Sequence, residues 1–323
     1  MVDAAVSYWK QNLCIALIYK YQNMRKNRLF EPPVRTLRAN IPESEGPEYS
    51  ITLETRMKQN HHIFTVCAYK ESPFLEQCIV SLKNQSIQTD IIITTSTPND
   101  AILNIAKKYK IPYYVRDGKS GITQDWNFAY QCAKENYNSD YITIAHQDDI
   151  YENDYVETLQ KMMGREKRPL IFFSDYYEIR GGKRIEKNRI LKVKRLMLFP
   201  LRFRIFQRSR WVRRRILSFG SPVCCPSVTF AVENMPPVIF QNHFRACEDW
   251  EAWEKLSRYK GAFVYSRKKL VGHRIHADSE TSAAIEEQVR SKEELEMFCK
   301  FWPGGIAKFL EKKYAKSQES NQL

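Results

Sequence analysis

Residues 141–151, Tyr-Ile-Thr-Ile-Ala-His-Gln-Asp-Asp-Ile-Tyr, form a short, largely apolar run that ends at His146, Gln147 and the adjacent carboxylates Asp148 and Asp149. Such a run reads as a buried strand that delivers acidic groups to the edge of a sheet. Two neighbouring anions repel each other unless a cation lies beside them, and a divalent metal carrying a diphosphate is a common solution. That pattern points to chemistry on a phosphorylated substrate. The same carboxylates could instead cap a following helix, so the flanking segments have to decide.

Those segments alternate in type. Residues 63–68 and 90–95 are apolar strands, 113–115 a short third and 141–145 a fourth, with helices predicted at 101–109 and 123–135. Ser72-Pro73 predicts an N-cap with proline at the first helical position, followed by the stripe Phe74, Cys78, Ile79 and Leu82. Strand and helix exchanging at crossover length give an α/β fold with a mainly parallel, doubly wound sheet. Ligands of such sheets lie outside the carboxyl ends of the strands, where residues 69–71, 95–96 and 146–149 fall. After a helix near 154–163 the pattern changes to a hairpin across Arg180-Gly181-Gly182-Lys183, then a basic window, a strand at 227–232 and a helix at 248–259. Extended segments at 262–267 and 270–276 follow, then an amphipathic helix pair over 286–315 broken at Pro303-Gly304-Gly305. Residues 1–60 read as one helix and an irregular extension.

The chain has 323 residues, 51 Lys plus Arg against 37 Asp plus Glu, and a formal charge of +14, which implies an anionic partner. Residues 183–215 hold fourteen basic side chains and a single acid, Glu186, so nearly all of the excess is local. Eight cysteines without a C-x-x-C pair look like reduced core residues of a cytosolic protein, and they exclude a disulfide framework or a zinc site. The apolar run at 13–19 is too short to span a bilayer. A cytoplasmic location is expected, with any membrane contact peripheral, on the inner face of the cytoplasmic membrane.

With these elements in order, the chain resembles the family 2 glycosyltransferases of the GT-A fold, with bacterial enzymes of surface-polysaccharide synthesis the nearest in pattern. The resemblance rests on V-C-A-Y-K-E-S at 66–72, G-K-S-G-I-T-Q-D-W-N at 118–127, H-Q-D-D-I-Y at 146–151, Glu248-Asp249 opening a helix, and H-R-I-H at 273–276. It implies that Ala68, Tyr69, Glu71 and Thr95 line the nucleotide, and that Gly121 and Asn127 approach the sugar diphosphate. His146-Gln147-Asp148 would take the D-x-D position, with Asp148 a ligand of Mn²⁺ or Mg²⁺, Asp149 beside it and His276 reaching in from the late loop. Asp249 would be the general base toward an acceptor hydroxyl, with Glu248 as its partner, giving inversion by in-line displacement. The implied division is 1–60 an extension, 61–180 the donor-binding half, 181–220 a basic amphipathic insertion, 221–285 the acceptor half and 286–323 C-terminal helices.

Two departures bear on specificity. His146 replaces the first Asp of D-x-D, which suits Mn²⁺, and Thr94-Thr95-Ser96 replaces the acid usual after the second strand, so a carboxylate contact to the base is lost. UDP or dTDP sugars are expected ahead of GDP sugars. Residues 191–219 mix aliphatic and aromatic groups with Lys and Arg, which fits a helix or helix pair lying in an anionic headgroup layer and a saccharide or lipid-linked acceptor. The alternative is an ordinary solvated face. Gln207 to Trp211 imitates the Q-x-x-R-W motif of processive members but precedes Glu248-Asp249, and it reads as chance. A nucleic-acid-binding protein would use the basic window yet leave the carboxylates unexplained, so no nucleic acid partner is expected. A nucleotidyltransferase would need a Gly-rich loop where 69–73 has no glycine.

Overall fold

The computed structural model describes residues 37–38, 61–276 and 285–319. The helix expected near the N-terminus lies outside the described residues. Strands β1 (Leu37–Arg38), β2 (His62–Ala68), β3 (Asp90–Thr95), β4 (Tyr113–Val115), β5 (Tyr141–His146), β6 (Ile150–Tyr151), β7 (Pro169–Arg180), β8 (Lys183–Ile185), β9 (Thr229–Ala231) and β10 (Ala262–Ile275) form one curled sheet. Its order is β1-β4-β3-β2-β5-β9-β7-β10-β6, with β8 paired to β7. The long ladders β2–β3, β2–β5 and β7–β10 are parallel. The short β9 is antiparallel to both β5 and β7 and joins the two parallel halves.

The isoleucine-rich strands pack on both faces because successive side chains point to opposite sides. Ile63, Ile92 and Ile142 enter one core, with Phe128 and Trp253. Phe64, Ile91, Ile93 and Tyr141 enter the other, with Leu75, Ile102 and Leu159. Helices α1 (Leu75–Lys83), α2 (Asp100–Tyr109), α3 (Ile122–Asn136), α4 (Tyr155–Met163) and α8 (Glu248–Ser257) cover these faces; α9 (Ile285–Cys299) and α10 (Gly304–Glu319) close the chain. The basic insertion is three helices, α5 (Arg189–Met197), α6 (Arg204–Gln207) and α7 (Arg210–Leu217), with a 3-10 turn at Phe199–Arg202. Asn188 and Ser209 cap α5 and α7 by accepting from the Leu191 and Val212 amides.

Two expectations need correction. Helix α1 begins at Leu75 after Phe74, with no side-chain cap; Ser72 Oγ instead accepts the Phe74 amide at 3.3 Å, forming a local turn that delays the helix. The two extended segments near 262–276 are one strand, irregular at Ser266 to Lys269. The β7–β8 turn does use Gly181 and Gly182, at φ 52° and 75°, the positive pair that a tight hairpin requires.

Candidate active site

Strand β5 ends at His146, and the chain turns through Gln147 and Asp148 before Asp149 leads into β6. Because a strand follows and α4 starts only at Tyr155, neither carboxylate caps a helix. Asp149 has no solvent exposure. Its Oδ1 lies 3.1 Å from His273 Nδ1 and accepts the Arg274 amide at 2.8 Å, both contributed by β10, the strand that pairs with β6. Asp148 Oδ2 lies 3.1 Å from His276 Nε2. Arg274 Nε donates to the Asp148 carbonyl at 2.8 Å and Nη2 to Gln77 Oε1 at 3.0 Å, which fixes the turn from behind. Donor atoms of His146, Asp148 and Asp149 all lie within 4.8 Å of one another.

Burial by itself would raise the pKa of Asp149; the charge and hydrogen bond of His273, the charge of His146 and the Arg274 amide outweigh it and hold the group below the ordinary value. His273 is correspondingly raised, since Asp149 more than offsets its burial. His146 is lowered, chiefly by burial. Its Nε2 is buried without a hydrogen-bond partner, and its ring stacks on Trp126 at 5.3 Å. Two carboxylates and a neutral imidazole with an unused nitrogen are a donor set that fits Mn²⁺, and the oxygens also fit Mg²⁺.

Of the predicted donor residues, Ala68, Tyr69, Thr95, His146 and Gln147 lie at the carboxyl ends of β2, β3 and β5, and Gly121 and Asn127 on α3. Gln147 clasps Tyr69, accepting its amide at 3.0 Å and donating to its carbonyl at 2.9 Å, so the β2 and β5 ends are tied together. Ala68 is buried beside Thr95, its register partner. Thr95 Oγ1 accepts the Thr97 amide and is taken up by its own turn, while Glu71 is exposed. Gly121 N-caps α3 and donates to Asp125 Oδ2 at 3.3 Å. Both polar atoms of Asn127 engage the Phe240 backbone, at 2.8 and 3.2 Å, so Asn127 anchors the 237–247 loop. The carboxylate missing after β3 is replaced in space, because Asp125 from α3 accepts from Ser96 Oγ at 2.8 Å and from Arg116 Nε at 2.7 Å.

Asp249 lies in the first turn of α8, one position past Glu248 and beyond the N-cap Cys247, so it does not cap the helix. Its Oδ1 accepts the Trp250 amide at 2.5 Å and Oδ2 the Ser221 hydroxyl at 3.4 Å. Burial raises its pKa, against the pull of the Trp250 amide, Lys194 and Arg290. Its charge acts on His146, so base candidate and acidic turn share one electrostatic environment. Glu248 is buried beside it. Gln207 donates to the Leu201 carbonyl at 2.7 Å and is a packing residue. His273, Arg274, Trp126 and Asp125 were not among the predicted site residues.

The family model described as "Glycosyl transferase family 2" matches residues 64–231, more than half of the chain. The chain belongs to glycosyltransferase family 2. That assignment sets aside the nucleic-acid-binding and nucleotidyltransferase alternatives. The match ends before Asp249, His273 and His276. Among solved structures, S. aureus TarS 1-349 in complex with UDP-GlcNAc superposes with TM-score 0.52 at 12% identity, over 81% of this chain and 73% of that one. Mannosyltransferase PcManGT from Pyrobaculum calidifontis, in complex with GDP-Man and Mn²⁺, superposes with TM-score 0.53 at 11% identity, over 80% and 70%. At these identities the likeness establishes the shared GT-A fold of this glycosyltransferase. No curated protein matches it by sequence.

Proposed function

We propose that this glycosyltransferase moves a sugar from a nucleoside diphosphate to an acceptor hydroxyl with inversion, dependent on a divalent metal. The observation that carries the reading is the His146, Asp148 and Asp149 cluster at the end of β5, inside the stretch that matches the family. Asp148, the more accessible carboxylate, and His146 would hold Mn²⁺ or Mg²⁺, with Asp149 and His276 setting their orientation. The ion, when bound, supplies positive charge to offset that growing on the departing diphosphate. Asp249 takes the proton of the attacking hydroxyl. A carboxylate whose pKa has been raised by burial is the stronger base, and the Trp250 amide and Ser221 hydroxyl hold it in one orientation. Tyr69, fixed by Gln147, offers a half-buried ring to the nucleotide base, and Asp125 with Ser96 restores polar groups at that end; UDP or dTDP is the preferred carrier. TarS and PcManGT, each in complex with a nucleotide sugar, lend support to this donor class.

The acceptor is a saccharide or lipid-linked saccharide of cell-surface polysaccharide synthesis, met at the inner face of the membrane. Support comes from the basic insertion, where Leu196, Phe203 and Ile205 are 58%, 52% and 73% exposed among arginines and lysines. No helix of the described residues is long and apolar enough to cross a membrane. Thermal-shift screening against nucleotide sugars, with Mn²⁺ and with chelator, tests the donor reading. A metal-dependent rise with one carrier supports it, and no rise with any carrier refutes it.

A further inference from the structure

Within the basic insertion, the half-buried cations have local partners. Arg195 spans Asp175 at 2.7 Å and the Tyr176 and Glu186 carbonyls. Arg214 pairs with Glu254, and Arg215 lies over the rings of Trp211 and Trp302. Lys194 differs. Its Nζ donates to Tyr176 Oη at 3.1 Å and sits 5.3 Å from the centroid of the same ring, and it forms no ion pair with any described carboxylate. The ammonium of this half-buried lysine makes one hydrogen bond, to a neutral phenol, which leaves two N–H donors for an anion arriving there.

The surroundings relate this lysine to the proposed site. The Tyr176 ring stands edge-on to His273 at 6.2 Å, and His273 in turn holds Asp149. The charge of Lys194 also reaches Asp249 and His273. One helix of the insertion therefore presents its exposed residues Val193 and Leu196 outward and sends the lysine between them to the catalytic cleft.

We propose that Lys194 is a specificity-determining residue that receives a phosphate group in this cleft, either of the nucleoside diphosphate or of a phosphorylated lipid acceptor. The inference rests on the donor and acceptor reading above and adds a residue to it that the family match does not assign. The test compares the full-length protein with Lys194→Met and Lys194→Arg. Titrations with UDP, dTDP and GDP in Mn²⁺, each beside its parent nucleoside, form one arm. Sedimentation with neutral vesicles carrying a polyprenyl phosphate, beside the matching polyprenol, forms the other.

If the donor is the source, Lys194→Met weakens the preferred diphosphate about tenfold or more, the loss of a charge-assisted hydrogen bond, and leaves the nucleoside unchanged, while Lys194→Arg recovers part of the affinity. If the acceptor is the source, diphosphate binding is unchanged and the preference for polyprenyl phosphate over polyprenol disappears. The melting midpoint of Lys194→Met is read alongside; should that variant fail to fold, Lys194→Gln replaces it in both arms. Binding of every phosphate probe by the variants as by the parent overturns the proposal while leaving the proposed function intact. A parent protein that binds no nucleotide refutes the donor reading, and the lipid arm then decides on Lys194 alone.

Discussion

Replacing Arg213 with Met should unfold this protein more readily than any exposed arginine substitution in the same insertion. Arg213 is 1% exposed, and its guanidinium donates to the Ser257 carbonyl at 3.0 Å, to Tyr259 at 2.7 Å, to Gln207 at 3.3 Å and to Gly261. Burial lowers its pKa to about 10, with Arg210 adding to the effect, so it remains charged at neutral pH. Hydrogen bonds from a charged donor contribute about 1.5–3 kcal/mol each, and recovering the desolvation of a buried guanidinium returns several kcal/mol. Setting one against the other leaves a net loss of about 3 kcal/mol. With an unfolding entropy of about 2.1 cal/mol/K per residue, that lowers the midpoint of a chain of this size by roughly 4–5 °C. The affected contacts tie α7 to the end of α8, the helix that carries Asp249, and to the start of β10. Differential scanning fluorimetry and urea titration read the effect, with Arg210→Gln as the exposed control. A drop for Arg213→Met no larger than for Arg210→Gln would show that the four carbonyls are satisfied some other way.

Asp249→Asn should lower kcat by roughly 10²–10⁴ and leave donor affinity unchanged; near-normal turnover would remove Asp249 from the role of base. Since its folded pKa is raised, the group's contribution to stability is complete below the unfolded carboxylate range and is lost as pH rises through the folded value, so Asp249→Asn should melt no lower than the parent at pH 7. Turnover, which needs the ionised form, should fall as pH drops through that same raised value, and a pH-rate profile without an acid limb would contradict this. Asp148→Ala should abolish the extra stabilisation given by Mn²⁺ together with nucleotide, about 2.7 kcal/mol at a hundredfold excess over Kd; an undiminished thermal shift would place the metal elsewhere. Phe203→Ser with Ile205→Ser should reduce sedimentation with anionic vesicles at unchanged stability, and equal binding by both proteins would rule out this face as the membrane contact.

The donor half was legible because its strands are buried on both faces, and runs such as Ile91-Ile92-Ile93 leave little room for another assignment. Asp148 and Asp149 stood out because paired charges at the end of an apolar run demand a partner. The partners themselves were only half visible: His276 was expected near the metal, whereas His273 and Arg274, which hold Asp149, lie 124 and 125 residues away. Strands as short as β1 and β6 carry too few residues for a period to register. Lys194 was hidden among fourteen basic residues, since composition cannot separate those that turn inward, such as Lys194 and Arg213, from those in solvent. Asp125 was missed for a related reason: the acid that serves the end of β3 comes from a helix three elements later in the chain.

The clasp between Asp149 and strand β10 also sets an order of assembly. The first four parallel strands can pair from residues that are near one another in sequence, but the carboxylate turn stays unneutralised until the chain has reached Arg274 and docked it beside β6. A nascent chain can therefore pair these four strands before the proposed metal site is assembled, and readiness of that site becomes a late checkpoint on complete folding.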